Sequence, residues 1–317
     1  MTELRPLGSS DLLVSPLCLG GNVFGWTADK TQSFAVLDAY VAAGGNFVDT
    51  ADSYMNYFPG NEPGQSESII GEWLATRRNR DDVVVATKVG DHPEFMGLAP
   101  ANIKAAADES LRRLRTDHID LYYIHFDRDE SIPVDEIITA LDDLVKAGKV
   151  RAVAASNISP ERLSASIAFS DRAGLARYVA LQPQYNLVSR DTYEGARRDV
   201  VQDEGLACVP YFALASGFLT GKYRPGKSIE SVRNVPGLAG GYADTERGVG
   251  VLDALDQIAS ARGVEVATVA LAWLAQQPTV TSLIASARTV EQLPALFAAQ
   301  DLHLSDTELQ TLTTVSS

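Results

Sequence analysis

The stretch VVVATKVG at residues 83–90 is an apolar, β-branched run that is broken by one charged side chain, Lys88. A run that is apolar along nearly its whole length is typical of a strand in a parallel sheet covered by helices on its faces. Further runs of this kind begin at Val14, Asn46, Ile119, Val150, Tyr178, Leu206 and Thr281. Segments with helical periodicity, such as QSFAVLDAYVAAG and VDEIITALDDLVKAG, separate them.

Eight strand–helix units favour an α/β fold, a closed (β/α)8 TIM barrel that forms a single domain over residues 1–317. The opening LRPLGSSDLLVS predicts an N-terminal β-hairpin that turns at residues 8–11 and closes the lower end of the barrel. The rival fold, an open doubly wound sheet, requires a Gly-x-Gly-x-x-Gly turn after the first strand. LGGNVFG lacks that spacing.

The charge balance excludes several classes of partner. With 41 acidic and 27 basic side chains the formal net charge is −14, the wrong sign for binding nucleic-acid phosphates or an anionic membrane surface. The sequence shows neither a signal-peptide pattern nor an apolar window of about 18 residues, so we expect a cytoplasmic protein. No spacing of His, Cys, Asp or Glu indicates a metal site, and the oligomeric state is left open.

Ionisable side chains end three of the predicted strands. Asp49 ends NFVD, Lys88 ends VVVATK and His125 ends IDLYYIH, while Tyr54 follows Asp49 at the start of the Gly-, Pro- and Asn-rich stretch 54–65. Residues at the carboxyl ends of barrel strands point into the mouth, where barrel active sites form. A second irregular stretch, residues 221–245, belongs to the same face.

These residue types suit chemistry at a carbonyl group. A tyrosine has a pKa near 10 in water, and we expect the Lys88 ammonium to lower the pKa of Tyr54. Asp49 would keep Lys88 charged, and His125 would donate a hydrogen bond to a carbonyl oxygen. Together they predict a tuned proton donor beside a site that stabilises negative charge on oxygen.

Several motifs, in order along the chain, resemble the aldo/keto reductase superfamily. They are GGNFVDTADSYMNYFPGNEPGQSESIIGEWL, VVVATKVG, IDLYYIHFDRDE, RAVAASNIS, LQPQYNLVSR, PYFALASGFLTGKYR and IASARTVEQLPALFAA. The resemblance implies NADPH-dependent reduction of an aldehyde or ketone to an alcohol, reversible, with hydride moving from nicotinamide C4. It implies that Tyr54 is the proton donor, that Asp49 and Lys88 tune its pKa and that His125 orients the carbonyl.

The same resemblance implies a set of residues that bind NADP(H). They are Gly21, Asn22, Ser156, Asn157, Gln182, Tyr211, Phe212, Leu214, Ser216, Gly217, Lys222, Ser286, Arg288 and Gln292. Arg288 beside a helix N-terminus suits the 2′-phosphate on physical grounds as well. The resemblance implies a preference for NADPH over NADH. Ala285 stands where the family motif has glycine and Leu296 where it has asparagine, so the strictness of that preference is open.

For some of these residues a structural role is the alternative. Tyr211 would then be a core aromatic residue, and Ser156 and Asn157 would cap the next helix. The predicted wall of the substrate pocket contains Trp26, Tyr57, Phe58, His92, Phe95 and Phe126, and its aromatic character favours neutral or apolar carbonyl compounds. His92 is equally well explained as a solvated loop residue.

The sequence is compatible with two other functions for the whole chain. One is a cofactor-sensing regulatory barrel with little turnover. The other is a barrel enzyme of phosphosugar chemistry in which Lys88 forms a Schiff base.

Overall fold

The computed structural model describes residues 3–54, 62–226, 229 and 239–317. Its strands are β1 (Arg5–Pro6), β2 (Leu13–Val14), β3 (Leu17–Gly20), β4 (Phe47–Asp49), β5 (Val84–Val89), β6 (Asp91–His92), β7 (Phe95–Met96), β8 (Ile119–Ile124), β9 (Val150–Ser156), β10 (Tyr178–Gln182), β11 (Ala207–Cys208) and β12 (Leu283–Ala285). Its α-helices are α1 (Lys30–Ala42), α2 (Gln65–Arg77), α3 (Pro100–Leu114), α4 (Val134–Lys146), α5 (Pro160–Ala173), α6 (Ala196–Asp203), α7 (Glu246–Arg262), α8 (Val266–Ala275), α9 (Leu293–Asp301) and α10 (Asp306–Val315).

The eight predicted parallel strands form one sheet in the order β11-β10-β9-β8-β5-β4-β3-β12. The two ends of this order meet through a bridge between Cys208 and Val280. Hydrogen bonds from Thr281 N to Cys208 O and from Ile284 N to Pro210 O, both 2.9 Å, continue that contact. The sheet therefore closes on itself, and the prediction of a (β/α)8 barrel is confirmed.

Side chains alternate between the barrel interior and the helix layer, as the two-residue period of a strand requires. On β8, Leu121 and Tyr123 belong to the inner apolar cluster, whereas Tyr122 and Ile124 belong to the outer one. On β5, Ala86 likewise faces inward. Both faces of these strands are buried, which explains why the runs are apolar throughout.

The predicted hairpin is present as the antiparallel pair β1 and β2. Leu7, Leu12 and Val14 are at most 1% exposed and join the inner cluster of the barrel. Gly8 has φ +56°, and a Cβ built there would lie 2.1 Å from the Val179 carbonyl oxygen. The hairpin therefore packs against the amino ends of the barrel strands, which confirms the predicted closure.

Only part of the two irregular stretches lies within the described residues. Residues 62–64 precede α2, and residues 239–241 form a short 3-10 helix before α7. In the described part of the chain, no single helix is long and apolar enough to cross a membrane. The pair α7 and α8 meets those criteria together, across a bend of 101°.

Candidate active site

Strand geometry brings the predicted ionisable residues to one end of the barrel. Lys88 lies two residues after Ala86 on β5, so it shares the inward face of that strand. Asp49 lies two residues after Phe47, which is also in the inner cluster. His125 follows Tyr123 in the same way, one residue beyond the end of β8. The two-residue period thus directs all three side chains into the mouth.

Asp49, Lys88 and Tyr54 form one compact cluster there. Lys88 Nζ lies 2.7 Å from Asp49 Oδ2 and 2.5 Å from the Tyr54 hydroxyl oxygen. The Tyr54 hydroxyl in turn donates to Asp49 Oδ2 at 2.7 Å. The side chains of Lys88 and Asp49 are each 1% exposed. The phenol is therefore held between a buried ammonium group and a buried carboxylate.

Two further bonds fix the orientation of this buried pair. Lys88 Nζ donates to the carbonyl oxygen of Thr50 at 2.6 Å, and Gln182 Nε2 donates to Asp49 Oδ1 at 2.9 Å. Because a charge removed from water needs hydrogen bonds as well as a counter-charge, these partners help to hold the ion pair in place. Gln182 thereby contacts the cluster directly, besides lining the adjacent cleft.

His125 lies across from the phenol. The rings of Tyr54 and His125 are edge to face, with centroids 6.1 Å apart. His125 Nδ1 lies 3.3 Å from the Ser53 hydroxyl oxygen. Burial, followed by the charges of Lys88 and Arg128, lowers the pKa of His125 well below its usual value. The imidazole is therefore neutral near pH 7 and has one N–H to donate.

The prediction that Lys88 lowers the pKa of Tyr54 is wrong. Burial raises the pKa of the Tyr54 phenol well above its usual value, and the charge and hydrogen bond of Asp49 raise it further. Burial also lowers the pKa of Lys88, against the opposing effect of Asp49. The adjacent ammonium does not outweigh desolvation, so Tyr54 is held as the protonated phenol.

A cleft of about 720 Å³ opens above these residues. Most of the predicted cofactor and catalytic residues line it: Asn22, Tyr54, His125, Ser156, Asn157, Gln182, Tyr211, Phe212, Leu214, Ser216, Gly217, Lys222, Ser286, Arg288 and Gln292. The volume lies in the range of small-molecule and cofactor sites. Residues from most of the barrel's strand ends thus meet at one concave surface.

Hydrogen bonds order the inner wall of the cleft. Ser156 Oγ donates to the Gln182 carbonyl oxygen at 2.8 Å, and Asn157 Nδ2 donates to the His125 carbonyl oxygen at 2.9 Å. The Tyr211 hydroxyl donates to Asn157 Oδ1 at 2.9 Å. The alternative that Ser156 or Asn157 caps α5 does not hold, because Ser159 is the capping residue.

The outer part of the cleft has an unusual backbone. Phe212, Ala215 and Ser216 have φ values of +54°, +47° and +57°, a region that costs energy for residues with a side chain. Strain of this kind collects at binding sites, where the surrounding fold enforces it. Nearby lining residues are tied together as well, since Ser286 Oγ donates to Asn22 Oδ1 at 2.5 Å.

Some predicted residues lie away from the cleft lining. Gly21 is buried against α2, and its carbonyl oxygen accepts a hydrogen bond from Ser66. Trp26 is not among the lining residues, and His92 lines a separate groove between α2 and α3. Phe95 packs on His92, with ring centroids 5.2 Å apart. Tyr57 and Phe58 lie outside the described residues, as do residues 227–228 and 230–238 of the second stretch.

Sequence reasoning missed two carboxylates near the cluster. Asp91, on the two-residue strand β6, lines the cleft. Asp52 is fully buried, and neither of its carboxylate oxygens has a hydrogen-bond partner in the described structure. Asp91 carried no signal, because a strand of two residues is too short for a periodic pattern that would show where its side chains point. Asp52 could have been suspected from its place between Asp49 and Tyr54.

Comparison with known proteins agrees with this geometry. A family model described as the aldo/keto reductase family matches residues 16–317. The chain is 32% identical to norsolorinic acid reductase B of Aspergillus parasiticus, over 98% of this chain and 82% of the relative. It is 32% identical to aryl-alcohol dehydrogenase (NADP+) of Phanerodontia chrysosporium, over 95% and 82%. It is 35% identical to the uncharacterized oxidoreductase YrpG of Bacillus subtilis, over 98% and 94%.

Proposed function

The chain belongs to the aldo/keto reductase family, and on this premise we propose that it uses NADPH to reduce aromatic aldehydes or ketones, with Tyr54 as the proton donor. Its family and relatives make it an oxidoreductase of carbonyl and alcohol groups. One observation supports the finer proposal most directly. The Tyr54 hydroxyl, held by Lys88 at 2.5 Å and Asp49 at 2.7 Å, lies at the inner end of the cleft.

The cleft fits a dinucleotide in chemistry as well as in size. Tyr211 offers an aromatic ring for stacking on a nicotinamide, and Ser156, Asn157 and Gln182 offer polar groups around its carboxamide. Gly217 has φ +96°, a conformation that favours glycine, and it lies beside Lys222, whose ammonium group is suited to a pyrophosphate. Arg288 and Ser286 are suited to a phosphate beyond it.

NADPH, when bound, supplies the hydride. The chain supplies the remaining parts of the reaction. The neutral His125 donates a hydrogen bond to the carbonyl oxygen and orients it toward Tyr54. As negative charge develops on that oxygen, the Tyr54 hydroxyl gives up its proton to it. Lys88 stabilises the resulting phenolate, because its ammonium group lies 2.5 Å from the phenol oxygen.

The proposed substrate class is supported by the aromatic residues that line the cleft and by the name of one relative. Phe126, whose ring stacks on that of His125, adds aromatic surface to the cleft near the catalytic residues. Flat aromatic side chains bind flat aromatic ligands through offset or edge-to-face contacts. The relative from Phanerodontia is named an aryl-alcohol dehydrogenase. Both features favour an aryl aldehyde or ketone as the compound reduced.

The test is loss of NADPH absorbance with a panel of benzaldehydes and aryl ketones. We expect turnover in the wild type and a loss of about 10²- to 10⁴-fold in kcat for Tyr54→Phe, with unchanged NADPH binding. Tyr178→Phe is the matched control, because the buried Tyr178 hydroxyl has no partner in the described structure. Wild-type protein that binds NADPH but reduces none of the panel would contradict the proposal.

A further inference from the structure

His125 is fixed in the barrel mouth through its backbone and through the carbon atoms of its ring. Its backbone N donates to the Val89 carbonyl oxygen at 2.8 Å, and its own carbonyl oxygen accepts a hydrogen bond from Asn157 at 2.9 Å. The Phe126 ring stacks on the imidazole with centroids 4.5 Å apart, and the Tyr54 ring lies edge to face with it. These contacts set the position of the ring without using either of its nitrogen atoms.

The two ring nitrogens of His125 have different surroundings. Nδ1 lies 3.3 Å from the Ser53 hydroxyl oxygen, whereas Nε2 has no hydrogen-bond partner among the described residues, and His125 lines the cleft. Because burial lowers the pKa of His125 well below its usual value, the neutral imidazole carries one proton, on either Nδ1 or Nε2. Only a proton on Nε2 gives the unpaired nitrogen an N–H to donate to a carbonyl oxygen.

Ser53 determines which nitrogen carries that proton. Its side chain is 2% exposed, and within the described part of the chain its hydroxyl group has one hydrogen-bond partner, His125 Nδ1. If Nδ1 carried the proton, it would donate to the Ser53 oxygen, and the hydroxyl hydrogen would be left without an acceptor among the described residues. Buried polar groups are rarely left unpaired, so the favoured arrangement has the Ser53 hydroxyl donating to an unprotonated Nδ1.

We propose that Ser53 is a positioning residue that donates a hydrogen bond to His125 Nδ1 and thereby keeps the imidazole proton on Nε2, the nitrogen that binds the substrate carbonyl oxygen. The proposal rests on the proposed reductase function and adds a residue to its mechanism. The sequence carried no signal for this role, because Ser53 and His125 are 72 residues apart along the chain.

The physical basis is that the bond made by one imidazole nitrogen sets the protonation of the other. An imidazole with its proton on Nδ1 would present the lone pair of Nε2 to the lone pairs of the carbonyl oxygen, and the two would repel. Without the Ser53 hydroxyl, the ring can exchange between both forms and loses one of the contacts that orient it. Since the bond is a single neutral one, we expect its loss to lower kcat/KM about three- to tenfold.

Nuclear magnetic resonance of the histidine ring nitrogens tests the proposal without substrate. The full chain is labelled with 15N in its histidines, of which there are four, and His125→Asn identifies the signals of His125. The two nitrogens can be told apart because only Nε2 is two bonds from both carbon-bound ring hydrogens, and a protonated nitrogen differs widely in shift from an unprotonated one. We expect a protonated Nε2 in the wild type, and in Ser53→Ala we expect the two shifts to move toward each other.

Kinetics with the aryl aldehyde that is reduced best provides the second readout. Ser53→Ala should lower kcat/KM about three- to tenfold with an unchanged Kd for NADPH, and Ser53→Thr, which keeps the hydroxyl group, should recover most of the loss. Ser282→Ala is the matched control. Ser282 is also buried and donates to the Ser15 carbonyl oxygen at 2.9 Å, but it precedes β12 and so lies at the opposite end of the barrel. It should match the wild type in both readouts.

Three results would overturn the proposal: a proton on Nδ1 in the wild type, a Ser53→Ala spectrum identical to that of the wild type, or a kcat/KM that Ser53→Ala leaves unchanged. Failure of the proposed function itself would look different. The wild type would then reduce none of the aryl aldehydes or ketones, while its spectrum would still show the proton on Nε2.

Discussion

Asp49 influences the Tyr54 phenol in two ways, through Lys88 and through its own charge. It keeps Lys88 in place as a charged partner, and its own charge and hydrogen bond raise the pKa of the phenol beyond the effect of burial. A proton donor works only while it is protonated. A raised pKa therefore keeps Tyr54 active toward higher pH.

Removing that charge should move the pH profile. In Asp49→Asn we expect the alkaline limb of kcat/KM for reduction to move to lower pH, because the phenol loses its proton more easily without the neighbouring negative charge. The measurement is a pH profile followed by NADPH absorbance. Glu72→Gln is the control, since Glu72 pairs with Lys30 at the surface. An alkaline limb in Asp49→Asn that matches the wild type would exclude this account of the shift.

Asp52 shows the cost of a buried carboxylate without a partner. Burial raises the pKa of Asp52 well above its usual value, and the charge of Glu67 adds to this, while Arg113 opposes it. The folded protein then keeps a proton that the unfolded chain has lost. Stability from this group is present below the unfolded pKa of about 4 and declines as pH rises toward the folded pKa.

Asp52→Asn should remove that dependence. We expect the free energy of unfolding of the variant to exceed that of the wild type by about 1–3 kcal/mol at pH 8 and to be close to it at pH 4. Urea unfolding followed by circular dichroism at both pH values measures the difference. Asp203→Asn, at an exposed position on α6, should show no such pH-dependent gain. A variant less stable than the wild type at pH 8 would mean that the Asp52 charge is satisfied.

At the scale of elements, the hairpin depends on one backbone position. Gly8 has positive φ and lies against β10, where a Cβ would be 2.1 Å from the Val179 carbonyl oxygen. Gly148, after α4, also has positive φ, +73°, but a Cβ there meets nothing within 4 Å. The two glycines separate backbone strain from steric overlap.

Gly8→Ala should therefore cost more than Gly148→Ala. For Gly148→Ala we expect a loss of about 1 kcal/mol from strain alone, and for Gly8→Ala about 3 kcal/mol or more, because the hairpin must also shift away from the barrel. Thermal and urea unfolding of both variants gives the comparison. Equal losses would show that the base of the barrel yields to the added methyl group.

The strands and helices could be predicted because short-range sequence patterns determine where they form. Strands buried on both faces are apolar throughout, and the two-residue period carries Lys88 and Asp49 to the inward face. Loop residues have no such period. His92 was predicted in the pocket wall but lines a separate groove, because its direction depends on contacts with neighbouring loops.

For the whole molecule, the net charge of −14 opposes the binding of a polyanionic cofactor. Cationic side chains at the cleft must therefore offset the repulsion between the cofactor's phosphates and the net negative charge of the protein. Arg288 and Lys222 line the cleft, but so do Glu265 and Glu291, so the site is not uniformly positive. Under these conditions the preference for a 2′-phosphate should depend strongly on Arg288, whose guanidinium can form two charge-assisted bonds to a phosphate.

The contribution of Arg288 to cofactor binding can therefore be measured as a change in the thermal stability of the protein. A ligand that binds only the folded state stabilises it by about 2.7 kcal/mol at one hundred times its Kd, which raises Tm. We expect NADPH to raise Tm more than NADH at equal concentration. In Arg288→Gln the Kd for NADPH should rise by about 10- to 100-fold while that for NADH changes little. Arg262→Gln, in a surface pair with Glu308, controls for general charge loss. Equal Tm shifts with both cofactors in the wild type would mean that the carboxylates beside Arg288 cancel its attraction and that the enzyme uses either cofactor.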